Sequence, residues 1–346
     1  MVVIGSLLPL TGDGAAYGVE IRNGIDLAVD KINTTGGLQG RKLSVSYEDT
    51  KGDPTTAVSA IQSLLARQRV PTIIGDSFSG STLALIPVIE RERVVLLSPT
   101  ASSPKLTGAS AFFFRNWPSD SIEATVMAAV ATSRLGRKSF GVLYSNSEYG
   151  VGLKNAFVKK VRYLGGTVIG EEAFREKDTD FRTQLQNLNA KKPDAIYLTG
   201  YYQEFALILK QAKELGVRAQ FLSYGTFHEP QVLSLSRGAA EGVVFVQPFY
   251  DPDSPEPIVA EFVAAFKKKY QTAPGLYAAH GYDAGLLLGE AMRTAANTPT
   301  AERIRDALLA IKDFPGVTGS TTFDSKGDVK KPSRIMTVRD GKFQPL

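Results

Sequence analysis

The sequence predicts an α/β protein made of two doubly wound lobes, each built on a parallel sheet. Three observations carry this expectation. At 346 residues the chain exceeds what one hydrophobic core usually organises. In its first third, short apolar runs alternate with segments of helical period. The same alternation restarts after Pro118 and continues to about Val246, so a second sheet follows the first.

Val2–Leu10 is a strand, followed by the turn Thr11-Gly12-Asp13-Gly14 and a helix over about Ala15–Ile32. Ile21, Ile25, Leu27, Val29 and Ile32 give that helix one buried face. Leu43–Tyr47 alternates as a strand, and Asp53-Pro54 opens a helix over Thr55–Leu65, with Pro at a favoured first-turn position. The run from Pro71 to Ile74 is the third strand, Leu83–Arg91 a helix and Val94–Leu97 the fourth strand. Ala111–Arg115 is apolar and extended.

Pro118-Ser119-Asp120 opens a helix over Ser121–Arg134. The second series has strands at Ser139–Tyr144, Thr167–Ala173, Ala195–Leu198, Phe221–Leu222 and Gly242–Val246. Its helices fall at about Tyr149–Tyr163, Thr179–Leu188, Gln203–Leu215 and near Pro230. The proline-rich segment from Gln247 to Pro255 precedes three helices, about Glu256–Tyr270, Tyr277–Ala296 and Thr300–Ile311. Strand-like runs at Gly319–Phe323 and Arg334–Arg339 end the chain. Helices without intervening strands cannot extend the second sheet, so they return to the first lobe. The expected division is 1–118 with 250–325, and 119–249 with 326–346, crossed near Pro118, Pro248 and Asp324–Asp328. No internal sequence repeat or low-complexity segment is visible.

Composition narrows the function. Hydrophobic residues make up 43% and charged residues 22%, which is ordinary for a globular protein. The net charge of +5 is spread without a basic block, which argues against nucleic acid as a partner and against a membrane-binding surface. The absence of cysteine excludes disulfides, thiol catalysis and cysteine-ligated metal. No apolar run approaches a membrane span. The N-terminal stretch reads as a first strand; in an exported protein, the signal peptide would have preceded it.

The candidate chemistry gathers at strand ends. Ile73-Ile74-Gly75-Asp76-Ser77-Phe78-Ser79-Gly80-Ser81-Thr82 is a strand, a tight turn and a helix start. A helix start offers free N–H groups and the positive end of the macrodipole, so it favours an anion. Ser79, Ser81 and Thr82 either cap that helix or give hydroxyls to a ligand. Thr100 and Ser102 follow the next strand, at the edge where open α/β sheets bind ligands. The expected pocket is one for a small anion, a carboxylate. Tyr17, Tyr149 and Tyr201-Tyr202 also stand just beyond strand ends. They serve either as ordinary packing or as aromatic walls with hydroxyl tips.

Other chemistries fit less well. Gly12, Gly14 and Gly18 are spaced one residue too far for a dinucleotide fingerprint, and no acidic residue stands at the expected distance. Gly75-Asp76-Ser77-Phe78-Ser79 lacks the second Gly of a nucleophile elbow. The only histidines, His228 and His280, have neither the spacing nor the carboxylates of a metal site or a triad. Asp49 and Asp53 read as turn and cap residues. Neither a metal nor a cofactor is expected.

The chain resembles the branched-chain amino-acid-binding proteins of ABC importers, within the type I periplasmic binding proteins. Its landmarks run in order from Gly5-Ser6-Leu7-Leu8-Pro9-Leu10-Thr11-Gly12 through Gly36–Leu43, Tyr47–Pro54, Ile74–Thr82 and Ser98–Ser102. They continue with Phe114-Arg115, Glu148-Tyr149-Gly150 and Tyr282-Asp283-Ala284. The likeness spans nearly the whole chain and rests on the ordered set rather than on one motif.

The resemblance implies two lobes joined by a three-stranded hinge that close on a ligand between them. It implies a monomeric, periplasmic or extracytoplasmic receptor, not an enzyme, which hands a small carboxylate or amino acid to a membrane permease. Carried over by position, the side chains of Ser79 and Ser102 bind the ligand carboxylate, assisted by backbone groups of Thr100 and Ser102, with Ala101 between them. Tyr17, Tyr149 and Tyr201 are aromatic wall positions. The family's acidic partner for an α-ammonium falls at Gly225, within Ser223-Tyr224-Gly225-Thr226-Phe227. An unpaired buried ammonium is strongly unfavourable. The ligand is therefore either an amino acid whose charge another acid balances, or a carboxylate without an amine, possible occupants including aromatic acids. A sensory ligand-binding module and a hydrolase using Ser77 are the remaining alternatives.

Overall fold

The computed structural model describes residues 1–295 and 299–346. They divide into two compact units, Met1–Ser119 with Phe249–Pro332, and Asp120–Pro248 with Ser333–Leu346. The chain thus passes between units after Ser119, Pro248 and Pro332.

Unit 1 contains β1 (Val2–Leu8), α1 (Ala15–Thr34), β2 (Leu43–Asp49), α2 (Pro54–Arg67), β3 (Thr72–Gly75), α3 (Ser79–Glu92), β4 (Val95–Ser98) and β5 (Phe113–Arg115). The sheet order is β2-β1-β3-β4-β5, with every pair parallel. β3 and β4 are buried along their whole length, which accounts for their continuous apolar character. Asp53 caps α2, its carboxylate accepting from Thr56 N at 2.8 Å.

The later helices α9 (Pro257–Tyr270), α10 (Leu276–Thr294) and α11 (Ala301–Ala310) belong to this unit. The expected end of α10 at Ala296 lies outside the described residues. α10 packs directly on α1: a Cβ at Gly281 would stand 2.3 Å from Ile21 O, and one at Gly24 would stand 2.0 Å from Ala278 O. α10 also holds chain leading to the passages between units. His280 Nδ1 is 2.9 Å from Asn116 O, and buried Lys331 lies 3.8 Å from the buried carboxylate of Asp283.

Unit 2 contains α4 (Asp120–Ala129), β6 (Ser139–Ser145), α5 (Glu148–Tyr163), β7 (Thr167–Phe174), α6 (Arg182–Ala190), β8 (Ala195–Thr199), α7 (Tyr202–Glu214), β9 (Gln220–Tyr224), α8 (Pro230–Ser236) and β10 (Val244–Pro248). β11 (Ser333–Arg339) and β12 (Lys342–Pro345) complete its sheet, in the order β12-β11-β10-β9-β8-β6-β7. The stretch β7-β6-β8-β9-β10 repeats the strand order of unit 1, although the sequence shows no repeat.

Four expectations need correction. The second sheet is not wholly parallel, because β11 pairs antiparallel with β10 and with β12. The hairpin turn Asp340-Gly341 has φ values of 52° and 67°, the left-handed pair that suits a two-residue turn. Gly319–Phe323 is no strand; only isolated bridges, Phe314 to Thr321 and Phe323 to Val329, form there. The helix expected to Arg134 ends at Ala129 and continues as a wider π turn over Val130–Arg134. Finally, residues 326–332 belong to unit 1. Gly327 O accepts from Arg115 N at 3.0 Å, and Asp328 pairs with Arg115, so this segment is tied to β5.

Candidate functional site

In unit 1 the strand order reverses between β1 and β3, the point where open α/β sheets leave a crevice at their carboxyl edge. The Ser/Thr loops that follow β3 and β4 lie at that edge. Ser79 is the first residue of α3 and is buried. Its Oγ accepts from Ser102 N at 3.3 Å and from Ser103 N at 3.1 Å. With both lone-pair directions engaged, the hydroxyl proton remains to be given. Ser79 is thus a hydrogen-bond donor at a helix N-terminus, which is what an anion needs.

The neighbouring loop is held by its own hydroxyls. Ser98 Oγ donates to Asp76 O at 2.6 Å and accepts from Ala101 N at 2.9 Å. Thr100 Oγ1 donates to Ser77 O at 3.0 Å. Thr82 Oγ1 lies 2.8 Å from Phe78 O and 3.1 Å from Asp76 O, so it serves the turn. Thr100, Ala101 and Ser102 are all buried. Burial pushes the Asp76 carboxyl up to about 6, against the pull of the hydroxyls and N–H groups around it.

Tyr17 lies in the first turns of α1 and is buried. Its ring centroid is 4.7 Å from that of Tyr277 and 6.1 Å from that of Phe78. Trp117 stacks on Tyr277 at 5.7 Å, with 18° between the planes. The Phe78 ring covers the turns below it: a Cβ at Gly14 or Gly52 would stand 2.8 or 2.7 Å from it. Phe78, Trp117 and Tyr277 escaped the sequence reading. Pro274-Gly275 just ahead of an aromatic at a helix start is the signal that could have exposed Tyr277.

The glycines at 12, 14 and 18 form a tight turn and a close contact. Gly12 has φ 76°, Ala15 N bonds back to Gly12 O, and a Cβ at Gly18 would stand 2.0 Å from Pro9 O. Asp49 ties the ends of β1 and β2 together, accepting from Leu10 N and Lys51 N at 2.9 Å each. Against the opposing effect of burial, the hydroxyl of Thr11 together with these N–H groups holds its carboxyl below the usual range.

In unit 2 the equivalent reversal lies between β6 and β8. Tyr149 is in the first turn of α5, which Ser147 caps, and Tyr201 immediately precedes α7. Their rings stack at 5.5 Å and 22°. The Tyr149 hydroxyl is 2.7 Å from Thr226 Oγ1, and Thr226 Oγ1 donates to Gly200 O at 2.9 Å. Thr226 has one proton, so Tyr149 gives its own to Thr226. Gly225 begins a short 3₁₀ turn, Gly225–Phe227, directly after β9. The residues that follow do not replace a side chain there. His228 packs against Phe343 and Phe245, with centroids at 4.5 and 5.8 Å, and burial lowers its pKa to about 4. Glu229 is buried with its carboxyl pushed up to about 7.

Unit 2 has another buried acid. Glu123 in α4 accepts from Ser333 Oγ at 3.3 Å, and burial beside Asp120 pushes its carboxyl up to about 8. The two histidines fall in different units, His280 in unit 1 and His228 in unit 2. His280 is fully buried, its ring 4.5 Å from that of Trp117. Among the described residues no cluster of three His, Cys, Asp or Glu forms a metal site, and no helix is long and apolar enough to cross a membrane.

A family model described as periplasmic binding protein matches residues 1–342. The leucine-, isoleucine-, valine-, threonine- and alanine-binding protein of Pseudomonas aeruginosa is 28% identical over 323 residues, covering 93% of this chain and 85% of the relative. The crystal structure of the leucine-binding protein LivK of Thermotoga maritima superposes with a TM-score of 0.94 at 31% identity, covering 100% of this chain and 98% of that one. The substrate-binding protein LivJ of a branched-chain amino acid transporter from Streptococcus pneumoniae, in complex with isoleucine, gives 0.92 at 29% identity, covering 99% and 98%.

Proposed function

We propose, from the premise that this chain belongs to the periplasmic binding protein family, that it is a receptor for a small carboxylate. The family consists of solute-binding receptors that serve ABC importers and work outside the cytoplasm. In this reading Ser79 gives its proton to the ligand carboxylate, and Thr100, Ala101 and Ser102 line the same end. Tyr17 supplies an aromatic wall from unit 1; Tyr149, Tyr201 and the backbone at Gly225 cover the ligand from unit 2. Closing of the units over the ligand shifts a population of conformers, and the closed form is the one a permease reads. No step of catalysis is assigned, and the protein acts as a monomer.

The observation that supports this most is Ser79, a buried hydroxyl at a helix start whose oxygen already takes two N–H bonds. Relatives named for leucine, isoleucine and valine point to a neutral amino acid. Gly225 favours a second reading, a carboxylic acid without an amine, since the acid expected at that position is missing.

The test is a thermal-shift panel on protein unfolded, dialysed and refolded to remove any retained ligand. The panel holds leucine, isoleucine, valine, their 2-oxo acids, benzoate and the corresponding amides. A ligand at 100 times its Kd adds about 2.7 kcal/mol. Stabilisation by acids but not by their amides supports the carboxylate reading. Stabilisation by 2-oxo acids or benzoate alone selects the second. Equal stabilisation by acids and amides contradicts both.

A further inference from the structure

Arg115 is fully buried at the end of β5, and the carboxylate reading gives it no direct role. All of its polar contacts lie in unit 1. Its Nε is 2.7 Å from Asp328 Oδ1 and its Nη2 is 2.8 Å from Asp328 Oδ2, a two-pronged ion pair. Nη2 also donates to Thr107 Oγ1 at 2.6 Å, and Thr107 in turn donates to Asp328 Oδ2 at 2.7 Å. This closes a ring of three side chains. The remaining prong, Nη1, reaches the backbone oxygen of Ser103 at 3.0 Å.

Ser103 links the two groups. Its N–H and that of Ser102 go to Ser79 Oγ, while its carbonyl goes to Arg115. The loop carrying Thr100, Ala101 and Ser102 is therefore gripped from both sides, by the candidate anion-binding hydroxyl and by a guanidinium. A guanidinium can do this because its fork is rigid and cannot lose its charge; lysine offers neither the fork nor the second prong. The partner carboxylate comes from 213 residues further on, in the segment just before the last passage between units. Asp324 orients it, its Oδ1 accepting from Asp328 N at 3.0 Å.

We propose that Arg115, oriented by Asp328 and Thr107, is the positioning residue that sets the Ser102–Ser103 peptide, and through it the hydroxyl of Ser79, for carboxylate recognition. This deepens the carboxylate reading and rests on it for its functional meaning, though the positioning itself can be tested without any ligand.

The experiment is hydrogen exchange on the full chain, comparing wild type with Arg115→Lys and Thr107→Val. Thr107→Val removes one contact of the guanidinium and keeps the ion pair, so it reports even if Arg115→Lys folds poorly. Loss of a hydrogen bond to a charged group predicts amides of Ser102 and Ser103 exchanging about tenfold faster or more in Arg115→Lys, and about threefold faster in Thr107→Val. Amides of β3 and β4 should keep their wild-type rates. A uniform rise across unit 1 would mean that Arg115 only stabilises the fold, and unchanged rates at 102–103 would remove it from the loop; either overturns the proposal. A second arm measures Kd for leucine, its 2-oxo acid and leucinamide. Narrowing of the acid-to-amide ratio in either variant supports positioning; an unchanged ratio with weakened loop protection contradicts it. If none of these probes binds wild type, the ligand reading is what fails, and the exchange arm alone decides on Arg115.

Discussion

In unit 1 the loops after β3 and β4 carry Ser79, Thr100 and Ser102, whereas in unit 2 Tyr149, Tyr201 and Thr226 follow β6, β8 and β9. The strands beneath them run in the same order in both sheets. The same scaffold thus presents two chemistries at equivalent edges. Unit 1 offers small hydroxyls, many of them locked to backbone, and a helix N-terminus, a surface suited to reading charge. Unit 2 offers stacked phenols joined by a Tyr149–Thr226–Gly200 hydrogen-bond chain, a surface suited to covering apolar bulk. A shared topology fixes where a ligand can be met, and the loop residues alone decide what is recognised there.

The comparison can be pressed by mutation, and the largest effect expected is on stability in unit 2. Glu123 has its carboxyl raised to about 8 in the folded protein, against an ordinary value near 4.5. A raised carboxyl keeps its proton where the unfolded chain has lost it, so folded stability falls as pH rises from about 4.5 to 8 and levels off beyond. Glu123→Gln removes that fall, by an amount on the order of a few kcal/mol between pH 5 and 8, readable as Tm against pH. Asp76, Glu229 and Lys331, brought by burial to about 6, 7 and 8, titrate alike in both proteins, so the difference in slope between wild type and Glu123→Gln isolates Glu123. An identical slope in the variant would mean that Glu123 does not hold its proton.

Next comes Ser79→Ala, which removes a donor to a charged group and leaves two loop N–H groups without their acceptor. It should weaken binding of a carboxylate by roughly 1–3 kcal/mol in calorimetry. Tyr149→Phe is the smallest. It keeps the stacked ring and loses the hydroxyl to Thr226, so affinity should fall by about 1 kcal/mol or less. The preference for acid over amide should stay as in wild type. A change in that preference on altering Tyr149 would blur the division of labour between the units.

The sequence made much of this legible, and for a physical reason. Buried parallel strands such as Thr72–Gly75 favour apolar and small residues, and helix starts such as that at Asp53-Pro54 carry a capping side chain, so both leave local marks. The positions Ser79, Thr100–Ser102, Tyr149, Tyr201 and Gly225 were named from such marks and from the family likeness. What escaped depends on distant partners. Phe114-Arg115 is a landmark of the family likeness, but the ion pair of Arg115 with Asp328, 213 residues further on, has no local mark. The π turn at Val130–Arg134 and the bridges around Gly319–Phe323 carry helix- and strand-like sequences that tertiary packing overrode. The Asp340-Gly341 hairpin did have a local signal, a two-residue turn between alternating runs, and it went unread. The matched strand order of the two units left no trace in sequence, because topology constrains pattern rather than identity.

The central claim is that Ser79 reads a carboxylate, and a double-difference measurement addresses it most directly. Kd is measured for one binding acid from the panel and for its amide, each with wild type and with Ser79→Ala. The account predicts that replacing the acid by the amide costs wild type more than the variant, with a coupling of about 1 kcal/mol or greater. Equal costs in both proteins would contradict it, since Ser79 would then be insensitive to the charge it is held to recognise.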